Sequence, residues 1–357
     1  MMRSLFHRLA RLTAVAVMAA GALTACGSDG PAQSAAGRLG AEDPIPVEVP
    51  EGTTLVVADD ANRLKTLFAL SGEQERLSAD VTYANFSSGP LRLEAIRSGN
   101  AQLGRVGDVP PILAQYSDAG VPIVGTVQHD GPGAQIATSP GSGIKTLKDL
   151  AGKKVAINEG TSQQATLLRN LKSAGLTIDD VEVVNLGLAE FADGLRAEQI
   201  NAAVLKQPDR ARYLASTEGT ASSELPNAPG ASPGLYYVYA SRDALSDPGR
   251  AAAVREFVIA WYRAEQWLND NKDVWIDEYL IKDQNVSPED ARVIAESDGS
   301  GTPPGFTDEV IGIQQETIDL LQSAGAFAGK KLSARDEFDF RFAELTADSP
   351  RPTRANT

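Results

Sequence analysis

The chain has 357 residues, 42% hydrophobic and 22% charged, with a formal charge of −14, a single cysteine and two histidines. An acidic balance of this size argues against a nucleic-acid partner, which rewards a basic surface. So few thiols and imidazoles exclude a thiolate or multi-histidine metal centre, and no cofactor, catalytic group or metal is expected.

At the N-terminus Arg3, Arg8 and Arg11 lead into an apolar run over 12–23 that is too short for an ordinary membrane span. Leu23-Thr24-Ala25-Cys26-Gly27 closes the run with small residues. Residues 1–25 read as a signal peptide. The Leu-x-Ala-Cys pattern resembles the bacterial lipobox, whose cysteine becomes the lipid-modified first residue, so Cys26 is the expected lipidation site. The mature protein is then extracytoplasmic, tethered to the cell membrane by lipid and not by a helix. Removing residues 1–25, with three arginines and no acid, takes the formal charge from −14 to −17 and leaves His129 as the only histidine. Residues 26–52, rich in Gly, Ser, Ala, Pro and acid, read as a flexible linker.

Strand and helix signals then alternate. A strand over 54–58 precedes a helix over 64–70, and a strand over 81–86 runs into Ser87-Ser88-Gly89-Pro90 and a helix through Leu93 and Ile96. A strand over 101–106 leads through Asp108-Val109-Pro110-Pro111 to a helical turn, and 121–128 is a strand again. A second run has strands at 135–138, 154–158, 181–184 and 202–205 with helices between; Leu167, Leu168, Leu171 and Ala174 share one helical face. After a Gly/Pro-rich loop over 226–233 comes a strand over 235–240, and the rest is almost entirely helical. There Phe257, Trp261, Ala264 and Leu268 repeat at helical spacing, which suits packing.

Repeated strand–helix units predict an α/β fold of two lobes, each a mostly parallel sheet flanked by helices, with a hinged cleft between them. The expected first lobe is 53–133 plus 237–345 and the second is 134–236, leaving 346–357 as a loose tail. Ligands of such sheets sit beyond the carboxyl ends of strands. Four loops compete for that place: Asp59-Asp60-Ala61-Asn62, Ser87-Ser88-Gly89, Gly107-Asp108 and Gly160-Thr161-Ser162-Gln163. The last opens a helix, where free N–H groups and the helix dipole receive an oxyanion, though Thr161 or Ser162 is equally suited to capping its own helix. Asp108, just before Val109 and two prolines, reads as a cap that orients its loop. His129, near the first crossing, suits either the cleft wall or a hinge hydrogen bond.

The ordered set Asn85-Phe86-Ser87-Ser88-Gly89-Pro90, Ala95-Ile96-Arg97-Ser98-Gly99-Asn100, Val106-Gly107-Asp108-Val109-Pro110-Pro111-Ile112 and the run from Ile144 to Gln163 closely resembles the substrate-binding proteins of ABC importers for aliphatic sulfonates, taurine and nitrate. The resemblance covers roughly 53–345 and implies a periplasmic-binding-protein type II-like fold. It further implies a small anionic ligand, closure of two lobes over it, and delivery to a permease driven by a separate ATPase; a monomer is expected. Pocket residues carried over are Ser87, Ser88, Gly107, Asp108, Thr161 and Ser162, with Asn62 and Gln163 beside them. Two positions depart from the family pattern. Gln102-Leu103-Gly104 stands where an aspartate is common, and Lys206-Gln207-Pro208 replaces an aromatic Trp-Asp-Pro. Losing the indole removes an apolar wall and adds polar reach, making Gln207 a candidate ligand contact and pointing to a ligand larger or more polar than a simple alkanesulfonate. Desulfinases, which resemble this family and use a cysteine nucleophile, are the enzymatic alternative because Arg97 in Arg-Ser-Gly resembles a motif they share. No cysteine follows Cys26, and nothing in the spacing pairs His129 with a serine. A sensory lipoprotein on the same fold is the other alternative.

Overall fold

Short runs of aliphatic and β-branched residues set the strands, and Gly, Pro, Ser or Asp at their ends starts the helices. In the computed structural model, which describes residues 37–350, the first run comprises β1 (Thr54–Asp59), α1 (Arg63–Ser71), β2 (Asp80–Asn85), α2 (Gly89–Arg97), β3 (Leu103–Val106), α3 (Val109–Tyr116) and β4 (Ile123–His129). The second comprises β5 (Gln135–Thr138), β6 (Lys154–Ile157), α4 (Ser162–Ser173), β7 (Glu182–Asn185), α5 (Phe191–Arg196), β8 (Ala202–Leu205), α6 (Asp209–Ser216) and β9 (Glu224–Leu225). The chain then adds β10 (Leu235–Ala240), α7 (Arg242–Ser246), α8 (Pro248–Asp270), α9 (Lys272–Trp275), α10 (Pro288–Asp298), β11 (Gly301–Thr302) and α11 (Asp308–Ser323).

These strands form two sheets flanked by helices, in the orders β11-β4-β10-β3-β1-β2 and β7-β6-β8-β5-β9. Both sheets are mixed, with most strands of each running in one direction. β1 runs parallel to β2 and β3, but β10 enters the first sheet antiparallel to β3 and β4, because it arrives from the second sheet without a crossover helix. The second sheet pairs β6 in parallel with β7 and β8 and adds β5 and β9 antiparallel. All of β10 belongs to the first sheet, so the second passage between sheets lies at 226–234, ahead of the expected boundary at 237.

Helix α8 covers one face of the first sheet, where Phe257 and Trp261 are fully buried and Phe257 stacks on Phe68 at 4.7 Å. The second sheet closes over Ile136, Val155, Leu167, Leu171 and Val204. A further apolar cluster, with Val109, Ile112, Ala165, Leu168, Ile318 and Leu321, packs α3 and α11 against α4. It holds the start of α4 close to the loop between β3 and α3.

Two stretches expected to be loose are docked. Leu39 N–H donates to the Ser246 carbonyl at 2.8 Å, Arg38 pairs with Asp243 at 2.7 Å, and Val49 is buried in the core, so much of the linker up to 52 is held on the body. At the other end Arg263 donates to the carbonyls of Ala347 and Ser349 at 2.7 and 2.8 Å. In both places backbone carbonyls and small apolar side chains supply contacts that composition does not advertise. The expected signal peptide, Cys26 and the last residues of the tail lie outside the described residues. No helix among the described residues is long and apolar enough to cross a membrane.

Candidate functional site

The carboxyl ends of β1, β3 and β8 converge, and the loops after them decide what faces the space between the sheets. After β1 the buried carboxylate of Asp59 accepts N–H bonds from Asp60, Leu64 and Lys65 at 2.8, 3.0 and 3.1 Å, which fixes the first turn of α1 and aims Arg63. Burial raises the Asp59 carboxyl above its ordinary value against those hydrogen bonds. Asn62, expected at the ligand, instead adopts a left-handed conformation (φ 58°) and exchanges hydrogen bonds with Asn85 at 2.8 and 2.6 Å.

After β2, Ser88 caps α2 by accepting from Leu91 N–H at 3.4 Å, leaving Ser87 to face the cleft. Arg92 is buried, donates to the Phe86 carbonyl at 2.7 Å and pairs with Asp60 at 3.3 Å.

The loop after β3 makes a very close approach between the sheets. A Cβ on Gly107 would lie 1.9 Å from the Ser162 hydroxyl oxygen and 3.0 Å from its Cβ, so any larger residue here would have to push the Ser162 side chain aside. Asp108 caps nothing, which corrects its expected role. Its carboxylate accepts from Arg169 of α4 at 2.7 Å, while its carbonyl accepts from Gln314 at 2.8 Å. Arg169 also donates to the Ala231 carbonyl at 3.4 Å and to the Thr317 hydroxyl. Asp108 is therefore neutralised by an ion pair that bridges the two sheets, and its charge does not confront the cleft. On the facing helix Thr161 donates its hydroxyl to the Asn158 carbonyl at 2.6 Å. What remains at this corner is a small void of about 30 Å³ touched by Gly107, Asp108, Ser162 and Arg169, room for a few waters at most.

The larger space lies beside it. A cleft of about 340 Å³ is lined by Ser87, Gly107, His129, Gln163 and Gln207 among the residues expected from sequence, whereas Asn62, Ser88 and Thr161 line neither space. Gln207 donates to Ser297 at 3.3 Å, and Arg212 of α6 donates to the Gln284 carbonyl, so both reach across to the first sheet's helices.

The wall of this cleft holds what sequence reasoning missed. Arg63, Arg105 and Lys206 face it without a carboxylate partner, and the Nε atoms of both arginines are buried with no acceptor among the described residues. The Arg105 guanidinium lies 3.7 Å from the Tyr236 ring centre, with Lys206 Nζ at 5.4 Å from the same ring; Arg63 sits 5.1 Å from that of Trp275. Burial, followed by the charge of Arg63, pulls the Arg105 guanidinium below its ordinary value. Behind them His129 Nε2 is 3.5 Å from the fully buried Glu265, whose other oxygen accepts from Trp261 Nε1 at 2.9 Å. Burial works to raise the Glu265 carboxyl, but His129, Arg63 and Arg105 outweigh it and hold the group at about 2. One signal for this wall was available: Arg105 is a charge inside an otherwise apolar strand, Leu103-Gly104-Arg105-Val106. Among the described residues no cluster of His, Cys, Asp and Glu is suited to a metal.

The sequence model of the NMT1/THI5 like family matches residues 79–269. Over 137 residues the chain is 35% identical to a protein of Escherichia coli (strain K12) named putative aliphatic sulfonates-binding protein, a match covering 38% of this chain and 43% of that one. The chain thus spans about two fifths of the length of the first such relatives. A Bacillus subtilis (strain 168) protein of the same name is 25% identical over 280 residues, covering 75% of this chain and 79% of its own. Among solved structures, the alkanesulfonate-binding protein SsuA of Xanthomonas axonopodis pv. citri bound to MOPS superposes with a TM-score of 0.70 at 24% identity, covering 81% of this chain and 98% of that one. The fold is that of periplasmic binding proteins.

Proposed function

Because the chain belongs to the NMT1/THI5-like family, we propose that it is the extracytoplasmic substrate-binding component of an ABC importer, which captures a small organic anion in the cleft and hands it to a membrane permease driven by a separate ATPase. One observation carries this reading: a cleft between two sheets presents cations that have no carboxylate partner. A guanidinium left without an acceptor is costly, and charge-assisted hydrogen bonds to an arriving oxyanion, worth about 1.5–3 kcal/mol each, remove that cost. The names of the relatives favour a sulfonate as the anionic head. Two passages of chain between the sheets, at 130–134 and 226–234, support opening and closing of two lobes over the ligand.

The reading is one of binding and not catalysis. His129 is turned toward Glu265, and among the described residues no cysteine borders the cleft. Attachment to the membrane through Cys26 belongs to the same proposal, and a Cys26→Ser protein that remained in the membrane fraction would refute that part. The main test is thermal unfolding of the mature protein with ethanesulfonate, butanesulfonate, taurine and sulfate. A ligand at a hundred times its Kd stabilises the folded state by about 2.7 kcal/mol, so at least one organosulfonate is expected to raise Tm by several degrees. No shift with any of them overturns the functional reading. Multiple-turnover release of sulfite from any of them overturns the non-catalytic one.

A further inference from the structure

The cleft offers more donors than one sulfonate uses, and they differ in kind along its wall. Part of the lining is uncharged, with Ser87, Gly107 and Gln163. Elsewhere in it Arg63 and Arg105 make no side-chain hydrogen bond or ion pair among the described residues, and Lys206 faces the same Tyr236 ring as Arg105. The other arginines of the cleft already have partners: Arg92 has Asp60, and Arg212 has Asp209. Asp298 also borders the cleft, and Glu265 stands behind the wall with one oxygen accepting from Trp261 and the other 3.5 Å from His129; set against Arg63, Arg105 and Lys206 these two carboxylates leave the wall cationic. Aromatic faces compensate these guanidinium groups only in part. A guanidinium is a rigid planar fork that takes two oxygens of one acceptor, so two such forks together with Lys206 call for more than one anionic group.

Resting on the functional reading above, we propose that the ligand is a sulfocarboxylate, a small organic acid whose carboxylate is held by Arg63 and Arg105 while its sulfonate meets the uncharged lining at Ser87 and Gln163. A simple alkanesulfonate has one anionic group and leaves the guanidinium forks without an acceptor. Lys206, which stands where the family pattern has an aromatic side chain, adds a third positive charge on the carboxylate's side.

Calorimetry on the mature chain with propane-1-sulfonate and 3-sulfopropanoate, two ligands of the same length, tests the assignment. 3-Sulfopropanoate is expected to bind at least about tenfold more tightly, a difference in line with one added charge-assisted pair. Arg105→Met and Arg63→Met should weaken 3-sulfopropanoate by at least about tenfold more than they weaken propane-1-sulfonate. Arg105→Lys, which keeps the charge and loses the fork, guards against a folding artefact and should lose most of the same preference. Equal affinity of the two ligands for the unaltered protein overturns the proposal and spares the functional reading. Arginine variants that weaken both ligands equally also overturn it, since the pair then holds the only anionic head. If neither ligand binds, and the wider sulfonate panel fails as well, both readings fall.

Discussion

Two parts of one seam, a few residues apart in sequence, end in opposite states. At the Gly107–Ser162 corner most polar groups have found protein partners: Asp108 has Arg169, Thr161 has the Asn158 carbonyl, and Ser162 stands against Gly107 beside a small void. At the wall that begins two residues earlier, Arg105 and its neighbour Arg63 face open space with their Nε atoms unpaired. Residue chemistry alone makes the corner look like the binding place, because hydroxyls and a helix start gather there. Counting which donors already have acceptors favours the wall, as the proposal above has it.

The largest effect expected from breaking this contrast is on the satisfied side. Arg169→Met removes the partner of a carboxylate whose side chain is 4% exposed. Stripping one member from a buried pair costs about 3–5 kcal/mol when the remaining charge stays buried. Urea unfolding of the ligand-free variant should therefore show a lower midpoint at an unchanged m-value. If the seam relieves the charge by opening, solution scattering should instead report a larger radius of gyration with a smaller loss of stability. A variant with unchanged midpoint and unchanged dimensions contradicts the bridging role of the Asp108–Arg169 pair.

On the wall, the buried acid gives a pH signature. The Glu265 carboxyl is held at about 2, below its ordinary 4.5, so it contributes stability that is fully present above pH 4.5 and is lost as pH falls through about 2. The shift corresponds to about 3 kcal/mol between neutral pH and pH 2. Comparing unfolding free energies of the parent and Glu265→Gln across that window isolates the group. The parent should lose about that much more than the variant on acidification, and parallel curves would remove Glu265 as the counter-charge behind Arg63 and Arg105.

How much of this was legible depends on whether the signal is local. The strands and helix starts were, because β-branched runs, Ser88 before Gly89-Pro90, and the amphipathic face of α4 act within a few residues. The α/β fold and its family resemblance followed from them. Strand direction was not, since the antiparallel entry of β10 depends on which sheet the chain has just left. At the site, Asp59 and Asn62 are equally good caps by type, and only burial of Asp59 beneath α1 decides that it takes the N–H groups. Asp108 was misread for the same reason: its partner is 61 residues away on α4. Arg105 did carry a local signal as a charge inside an apolar strand, but its meaning depends on Glu265, far along the chain, standing behind it without closing into an ion pair.

The smallest effects decide what the helix start of α4 does. Thr161 is buried and donates to the Asn158 carbonyl, and it lines neither cavity. Thr161→Ala is expected to cost about 1 kcal/mol of stability, the net worth of one hydrogen bond, and to leave ligand affinity where it was. The Ser162 side chain has no hydrogen-bond partner among the described residues and borders only the small void, so Ser162→Ala should change stability by less than Thr161→Ala and affinity by no more than about threefold, under 1 kcal/mol. Calorimetry with the best-binding sulfonate, paired with denaturant melts of the ligand-free proteins, separates the two possibilities cleanly. A loss of about tenfold or more in Ser162→Ala with near-normal folding would return the anion to the corner, because only a hydroxyl in direct contact loses that much without loss of stability. Normal binding by both variants assigns the corner to structure: its hydroxyl and its glycine set how closely the two sheets meet, and the anion is left to the wall.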